Sequence, residues 1–306
     1  MARFDGDKNL ERSGVRRHLC PVALPMTEEK VSLLAVGPAR DLKSMLPARR
    51  AIAVDRVEKA PQAIVRLIKR PYHLILIDHT AEGEVTEEQI AYLRALQAIR
   101  PEAKAIVLVS NTTTRKVLEA LRHGVFAYFS RPFEHSAVRD AIAQALDAVT
   151  RSDDVELVSD DPDFICVRLR CRVETADRLA KFMREIPSAL TEAERAELST
   201  AFREMLLNAI EHGGKLYPNE WVRVSRVRTK RTVVYHIVDP GEGFRRAELK
   251  HAAIANPQGN PLAHVEIREA QNLRPGGFGM LIASRSVDEV IYNKQGNEVI
   301  LIKHLD

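Results

Sequence analysis

Between residues 31 and 149, short apolar runs alternate with longer amphipathic segments, and this alternation restricts the possible folds more than any other feature. The runs VSLLAV, AIAV, HLILID, KAIVLVS and FAYFS have the composition and length of buried strands. The segments VEKAPQAIVRLIK, TEEQIAYLRALQAI, TTRKVLEALRHG and HSAVRDAIAQALDAV place apolar residues three and four positions apart, as helices do. Strands that alternate with helices form a parallel sheet covered on both faces. Residues 28–149 are therefore predicted to form a doubly wound, five-stranded α/β domain, after a flexible tail at residues 1–27.

The pattern changes after an acidic segment. Residues 150–162, within TRSDDVELVSDDPD, lack apolar periodicity and are predicted to be a linker. Beyond it, FICVRLRCRV is strand-like, ADRLAKFMREI and the region 192–212 are helical, and WVRVSRVR with TVVYHIVD predicts an antiparallel hairpin. Residues 163–306 are therefore predicted to form a second domain, of the α+β class.

Composition excludes several functional classes. A chain of 306 residues with 45% hydrophobic residues can build a core in each of two domains. The net charge of +4 is spread among interspersed acids and bases, and only 5% of residues are aromatic, which argues against a nucleic-acid partner. No apolar run approaches the roughly 18 to 20 residues that cross a bilayer, and the N-terminus, with Asp5, Asp7 and Glu11 among its first residues, lacks a signal-peptide profile. We therefore expect no membrane association and a cytoplasmic location. Cys20, Cys166 and Cys171 suggest no metal cluster and no disulfide framework.

One helix in the second half combines an apolar face with a polar face. In and around EMLLNAIEHGG, residues 204–214, a helical wheel gathers Glu204, Asn208 and Glu211 opposite the apolar residues. Taken alone, this pattern is also typical of a helix whose polar face meets solvent. His212 is open to two interpretations, as a nucleotide contact or as a favourable charge at a helix end that glycine terminates.

Two glycine-rich loops favour a binding site over a solvated face. DPGEGF, residues 239–244, follows a strand, and RPGGFGMLIASRS places Gly276, Gly277 and Gly279 directly before an apolar helix. Glycine permits positive φ and lets backbone N–H groups approach a phosphate, and a helix N-terminus adds positive potential there. Three such elements in this order are more specific than any one of them.

With these motifs, residues 155–306 resemble the GHKL ATP-binding fold (the Bergerat sandwich) and, within it, the anti-sigma-factor serine/threonine kinases. The closing stretch VDEVIYNKQGNEVILIKHL resembles the final hairpin of that family. The family's three motifs are matched by Glu204 and Asn208, by Asp239, Gly241 and Gly243, and by Gly277 and Gly279.

The resemblance implies ATP and Mg²⁺ as cofactors and assigns a role to each motif. Asn208 is implied as an oxygen ligand of Mg²⁺, and Glu204 as the group that orients or deprotonates the attacking hydroxyl or water. Asp239 is implied to accept a hydrogen bond from the adenine amino group, and Gly243 to make room for the ring. The third motif would cradle the phosphates, with residues 245–275 as a lid.

The basic residues of the predicted hairpin form a separate group. They are interpreted as its solvated side and tip, with an acidic partner as the alternative. The group comprises Arg223, Arg226, Arg228, Lys230 and Arg231.

Residues 31–149 resemble a response-regulator receiver domain. HLILID ends in Asp78, where receivers carry the phosphorylated aspartate, and VLVSN places Ser110 at the position of the switch hydroxyl. The most specific segment is LEALRHGVFAYFSRPFE, because receivers end their last strand in Lys-Pro with a cis bond. The resemblance therefore implies a cis peptide between Arg131 and Pro132.

The same segment departs from receivers at the metal site. Receivers carry two acids just after the first strand, where this chain has Gly37 and Pro38, and Arg131 replaces their lysine. Without the acidic pair, the metal that offsets charge repulsion during phosphoryl transfer has lost most of its ligands. We therefore predict a pseudo-receiver that is not phosphorylated on Asp78.

Three functional hypotheses follow. The first is a bacterial signalling protein, akin to two-component systems, whose receiver-like domain regulates a GHKL domain that binds Mg-ATP and phosphorylates Ser or Thr of a partner resembling an anti-sigma-factor antagonist. The second is a non-catalytic, nucleotide-dependent switch that sequesters a sigma factor or similar partner. The third is a histidine-kinase-type phosphorelay component, although the roughly 50 residues from 150 to 200 are too few for its paired long helices. Pairing into a homodimer is compatible with both resemblances.

Overall fold

The structure is a computed structural model that describes residues 31–48, 50–81, 87–148, 154–244, 253, 260, 262–270 and 277–305. Residues 31–306 form one compact unit that contains two β-sheets. We call residues 31–148 the first half and residues 154–305 the second half. The expected tail at 1–27 lies outside the described residues, and the domain boundaries at 28–149 and 163–306 stay predictions. Among the described helices, none has the length and apolarity that a membrane span requires.

The first half is a parallel five-stranded sheet with helices on its faces, as predicted. The strands are β1 (Val31–Val36), β2 (Ile52–Val57), β3 (Leu74–His79), β4 (Lys104–Val109) and β5 (Ala127–Ser130), in the order β2-β1-β3-β4-β5. The helices are α1 (Leu42–Met45), α2 (Ala60–Lys69), α3 (Glu87–Ile99), α4 (Thr114–Arg122) and α5 (His135–Asp147). The central strands β3 and β4 are buried almost throughout because helices cover both faces, which explains their uninterrupted apolar runs. The short helix α1 was not predicted.

The carboxyl ends of β3, β4 and β5 lie side by side. Asp78 is the penultimate residue of β3, Ser110 follows β4, and Arg131 follows β5, so the parallel register places all three at one edge of the sheet. The peptide bond between Arg131 and Pro132 is cis, as the resemblance implied.

The second half is an antiparallel six-stranded sheet packed against helices, which confirms the α+β class. Its strands are β6 (Val155–Asp161), β7 (Phe164–Arg170), β8 (Trp221–Arg228), β9 (Thr232–Val238), β10 (Glu289–Tyr292) and β11 (Glu298–His304), in the order β10-β11-β9-β8-β7-β6. Its helices are α6 (Val173–Glu185), α7 (Glu192–Asn208), α8 (Ala263–Ala270) and α9 (Gly279–Ser286). Both predicted hairpins, β8–β9 and β10–β11, are present.

The interpretation of residues 150–162 as a linker is wrong for Val155–Asp161, which form strand β6. β6 is an edge strand that pairs only with β7, and its register shifts between Leu157 and Ser159. This bulge breaks the two-residue alternation by which a half-buried strand is recognised in a sequence. Charged residues on its solvent side, such as Glu156 paired with Arg168 at 2.6 Å, further conceal the strand.

Arg226 corrects the interpretation of the basic hairpin. The side chain is only 2% exposed, whereas Arg223, Lys230 and Arg231 are exposed. Because side chains alternate across a strand, Arg226 shares a face with the buried Val222 and not with Arg223. The alternation in WVRVSRVR already contained this information.

Helix α6 joins the two halves. The Arg178 guanidinium donates through Nε to the carbonyl of Phe126 (3.1 Å) and through Nη2 to that of Val125 (3.0 Å). At the C-terminal end of the helix, the Glu185 carboxylate accepts from the backbone N–H of Ser130 (2.8 Å) and from its hydroxyl. Burial raises the pKa of Glu185, and the hydrogen bonds from Ser130 oppose that effect. One continuous cluster of buried apolar residues includes members of both halves.

Candidate nucleotide-binding site

Helix α7 presents the polar face that the sequence predicted. It begins with a capping box, in which the Thr191 hydroxyl accepts from the Glu194 backbone N–H (3.3 Å) and the Glu194 carboxylate accepts from the Thr191 N–H (2.8 Å). Its buried face, which includes Phe202, packs into the core. Glu204 and Asn208 are therefore held on the opposite, partly exposed face.

After Asn208 the helix widens into a π-helical turn, Ala209–Gly213, in which the N–H of Gly214 donates to the Ala209 carbonyl at 2.8 Å. A Cβ at Gly213 would lie 2.2 Å from the Asp239 carboxylate carbon, and one at Gly214 would lie 2.1 Å from the sulfur of Cys171. The two glycines therefore let the widened turn pack tightly between those residues. Burial raises the pKa of the Cys171 thiol to about 11, so the thiol stays protonated and serves as a packing group.

Asp239 stands at the end of β9, beside this turn. One of its carboxylate oxygens, Oδ1, accepts from the backbone N–H of Gly241 at 2.8 Å, which fixes the orientation of the carboxylate. Burial raises the pKa of Asp239, and the Gly241 hydrogen bond opposes that rise. The Asp239 N–H donates to the carbonyl of Asn297 at 3.0 Å, so the second motif is tied to the closing hairpin.

The loop after Asp239 lies against the β10–β11 turn. Gly243 and Gly296 have φ values of 81° and 86°, and a Cβ at Gly243 would lie 2.0 Å from the carbonyl oxygen of Gln295. The Phe244 N–H donates to that same carbonyl at 3.1 Å. Gly243 is therefore required by the close approach of two backbones, a reason that the sequence did not reveal. Its expected role in making room for adenine stays a prediction.

The third motif contacts the first. Gly279 begins α9, and a Cβ there would lie 2.8 Å from Oε2 of Glu204 and 3.5 Å from Nδ2 of Asn208. Gly277, with a φ of 92°, precedes it. Gly276 and most of the expected lid at 245–275 lie outside the described residues.

The three motifs converge on one cavity of ≈ 920 Å³. This volume is within the range of about 300 to 1,000 Å³ that holds small molecules and cofactors. Glu204, Asn208, His212, Asp239, Gly241, Gly243, Gly277 and Gly279 all line it. The structure thus brings together every described residue predicted for the nucleotide site.

Comparison with known protein families agrees with this geometry. Residues 169–303 match the family model of the histidine kinase-like ATPase domain. The match spans all three motifs and most of the second half, which we call the ATPase-like half from here on. A search of curated proteins found no match.

Solved structures similar to part of the chain include receiver domains. One is the CheY-like receiver domain protein of Methanospirillum hungatei JF-1, with 19% identity, a TM-score of 0.34, and coverage of 39% of this chain and 96% of that one. Another is a response regulator of Thermotoga maritima, with 18% identity, a TM-score of 0.34, and coverage of 39% and 98%. We call the first half, with its five-stranded parallel sheet, the receiver-like half.

Among the cavity residues that were not predicted, two are basic. Arg203 donates from Nη1 to Oε1 of Glu204 (3.2 Å) and from Nε to Asp177 on α6 (2.7 Å), which places a positive charge beside Glu204. Lys215 lines the cavity in a left-handed conformation with φ 51°. Arg203 directly precedes Glu204 in sequence, so a helical wheel separates the two residues and conceals their contact.

The chemistry of the cavity suits Mg-ATP. Among the described residues, no cluster of three or more His, Cys, Asp or Glu side chains is placed to hold a metal. Mg²⁺ needs few protein ligands when phosphate and water oxygens complete its shell, so Asn208 alone is a compatible donor. Gly241 and Gly277 line the cavity, and Asp239 supplies an acceptor.

At the edge of the receiver-like sheet, Asp78 is buried and bonded to its own loop. Asp78 is 6% exposed, and its Oδ1 accepts from both the backbone N–H (2.9 Å) and the hydroxyl (2.6 Å) of Thr80. A Cβ at Gly37 would lie 2.2 Å from the Asp78 carbonyl oxygen, so this packing leaves no room for an acid at that position. The guanidinium of Arg131 lies over the ring of Phe133, 5.6 Å from its centroid. That Asp78 is not phosphorylated stays a prediction.

Proposed function

We propose that the chain is a bacterial signalling protein in which the receiver-like half regulates an ATPase-like half that binds Mg-ATP and phosphorylates Ser or Thr of a partner protein. The observation that carries this proposal is the position of Gly279. Because glycine has no Cβ, the start of α9 can lie directly against Glu204 and Asn208. That contact joins a carboxylate, a carboxamide and a helix N-terminus in the cavity that Asp239 also lines. The match to the histidine kinase-like ATPase domain supports nucleotide binding.

Each side chain then has a defined task. Bound Mg-ATP supplies the phosphoryl group and the metal charge that offsets repulsion. Asn208 offers its side-chain oxygen to the metal, and Asp239 accepts a hydrogen bond from the adenine amino group. Glu204 accepts the proton of the partner's hydroxyl as that oxygen bonds to phosphorus, with ADP as the leaving group.

Regulation is proposed to pass through helix α6. Its C-terminal Glu185 holds Ser130 at the end of β5, next to the edge that carries Asp78. Asp177, in its N-terminal half, holds Arg203, and Arg203 contacts Glu204. A shift of α6 driven from the receiver-like half would therefore reorient the carboxylate that acts on the hydroxyl.

The decisive experiment separates binding from transfer. Calorimetry with Mg-ATP is expected to show saturable binding that Asn208→Ala weakens and Glu204→Gln preserves. A pull-down from the native cytoplasm with and without Mg-ATP, followed by phosphosite mapping, is expected to recover a partner resembling an anti-sigma-factor antagonist, with an acid-stable phosphate on Ser or Thr. Absence of binding heat would contradict the nucleotide site, and an acid-labile label would point to a phosphorelay instead.

One contact favours a second function, a nucleotide-dependent switch without turnover. Glu204 is held on both sides, by Arg203 at Oε1 and by the close approach of Gly279 at Oε2. A carboxylate held in this way can fix the geometry of a nucleotide-bound state that sequesters a sigma factor. If Glu204→Ala leaves partner binding and output intact while Asn208→Ala abolishes both, the switch is the function.

A further inference from the structure

Arg226 is a buried cation inside the ATPase-like half, away from the nucleotide site. In the sheet it lies between Ile165 on β7 and Tyr235 on β9, both of them buried. The positive charge of its guanidinium opposes the rise that burial causes in the pKa of the Tyr235 hydroxyl. Its Nε and Nη1 are also buried, and neither has a hydrogen-bond partner among the described residues.

Arg226 lines a small cavity of ≈ 20 Å³. Arg195 lines the same cavity, and its Nε is likewise buried without a partner among the described residues. Arg184 and the hydroxyl-bearing Ser188 and Ser199 complete the polar lining. The cavity therefore concentrates hydrogen-bond donors.

The lining carries an excess of positive charge. No Asp or Glu stands among the residues described around this cavity. Two acids lie near the basic residues of this lining: Glu192 is largely exposed and accepts from Arg184 and Arg195, and Glu185 accepts from Ser130. No acid is thus paired with Arg226, and a buried, unpaired charge is strongly unfavourable.

We propose that this cavity binds a single chloride ion. A water molecule would satisfy the orphaned N–H groups but would leave the charge of Arg226 uncompensated, whereas an anion does both. A cavity of ≈ 20 Å³ accepts one monatomic ion or water, and it is too small for phosphate or sulfate. The site shares no lining residue with the nucleotide cavity, so it stands whether or not the chain is a kinase.

Thermal unfolding of the full chain tests the proposal. Sodium chloride is compared with sodium gluconate at equal ionic strength, because gluconate is too large for the cavity. Above the dissociation constant, each tenfold rise in chloride is expected to raise the unfolding midpoint by about 2 to 3 °C, while gluconate leaves it unchanged. Arg226→Met is expected to abolish the chloride response. Arg223→Met, on the opposite face of the same strand, is the matched control and is expected to retain it.

A second measurement keeps the proposal testable if Arg226→Met fails to fold. Crystals of the wild-type protein grown in bromide are expected to show an anomalous peak between Arg226 and Arg195. An equal response to chloride and gluconate in the wild-type protein, or a crystal with water and no anomalous peak in the cavity, would overturn it.

Discussion

Replacing Gly213 by alanine is expected to disable the nucleotide site through Asp239. The new Cβ would stand 2.2 Å from both Cγ and Oδ1 of Asp239 and 2.5 Å from its Cβ. Since carbon atoms in contact prefer about 3.5 to 4.0 Å, the carboxylate must move by more than about 1 Å. Gly213 carries no positive φ, so alanine itself is tolerated by the backbone and the effect falls on the neighbour.

The displacement removes a defined interaction. The hydrogen bond from the Gly241 N–H to Oδ1, now 2.8 Å, would lengthen beyond bonding range, and the carboxylate would leave the orientation that its proposed contact with the adenine amino group requires. A hydrogen bond to a charged group contributes about 1.5 to 3 kcal/mol. Loss of the proposed bond between Asp239 and the adenine amino group therefore corresponds to a loss of roughly tenfold to a hundredfold in affinity for Mg-ATP. Calorimetric titration with Mg-ATP, alongside a circular dichroism spectrum of the variant, measures the loss in folded protein.

A double-substitution cycle isolates the cause. Asp239→Gly removes all three atoms that the new methyl group would meet, so Gly213→Ala is expected to add little further loss in that background. If the two substitutions instead weaken binding additively, or if Gly213→Ala alone binds Mg-ATP like the wild type, the assignment of Asp239 as the affected group is wrong.

Three further predictions concern the rest of the molecule. Burial raises the pKa of Glu185 above its ordinary 4.5, so the native state binds more protons than the unfolded state. The free energy of unfolding therefore falls as pH rises from about 4.5 through the raised value. Glu185→Gln keeps an acceptor for Ser130, and its free energy of unfolding, measured with urea from about pH 4 to 7, should depend less on pH than that of the wild type. Gly243→Ala should lower stability by about 1 to 3 kcal/mol, because its methyl group would meet the Gln295 carbonyl, and an unchanged unfolding midpoint would contradict this. Acetyl phosphate with Mg²⁺ should add no phosphate by intact mass, whereas a stoichiometric adduct lost in Asp78→Asn would overturn the pseudo-receiver prediction.

The sequence predicted the elements whose burial leaves a regular trace. β3 and β4 are covered on both faces, so their apolar runs are unbroken, and β8 alternates because one face is packed. β6 escaped because its bulge shifts the alternation and because an edge strand needs few buried residues. Arg226 was wrongly predicted to lie on the solvated face because it is charged. The alternation of side chains along β8 places it on the buried face with Val222.

The site was predictable in its residues but not in its contacts. The motif positions Glu204, Asn208 and Asp239 follow from the resemblance to the GHKL fold, and the structure brings them to one cavity. The π-helical turn that packs Gly213 against Asp239 depends on tertiary contacts, which local propensity does not encode. The same holds for Gly243. Position 243 requires glycine because of its contact with the carbonyl of Gln295, more than fifty positions away in the chain.

Helix α6 explains why the two halves are packed as a single unit. Arg178 and Glu185 are seven positions apart, so they lie two turns apart on one side of the helix, and both bind backbone groups at or just before β5. Asp177, adjacent to Arg178, reaches α7 through Arg203, while the apolar residues of α6 are buried in the core. The helix cannot shift toward either half without breaking partly buried hydrogen bonds to the other. Under the proposed regulation, a change at the edge of the receiver-like sheet that moves Ser130 would be transmitted through α6 to Glu204. A packed element of this kind would switch between two discrete arrangements and would not adjust continuously.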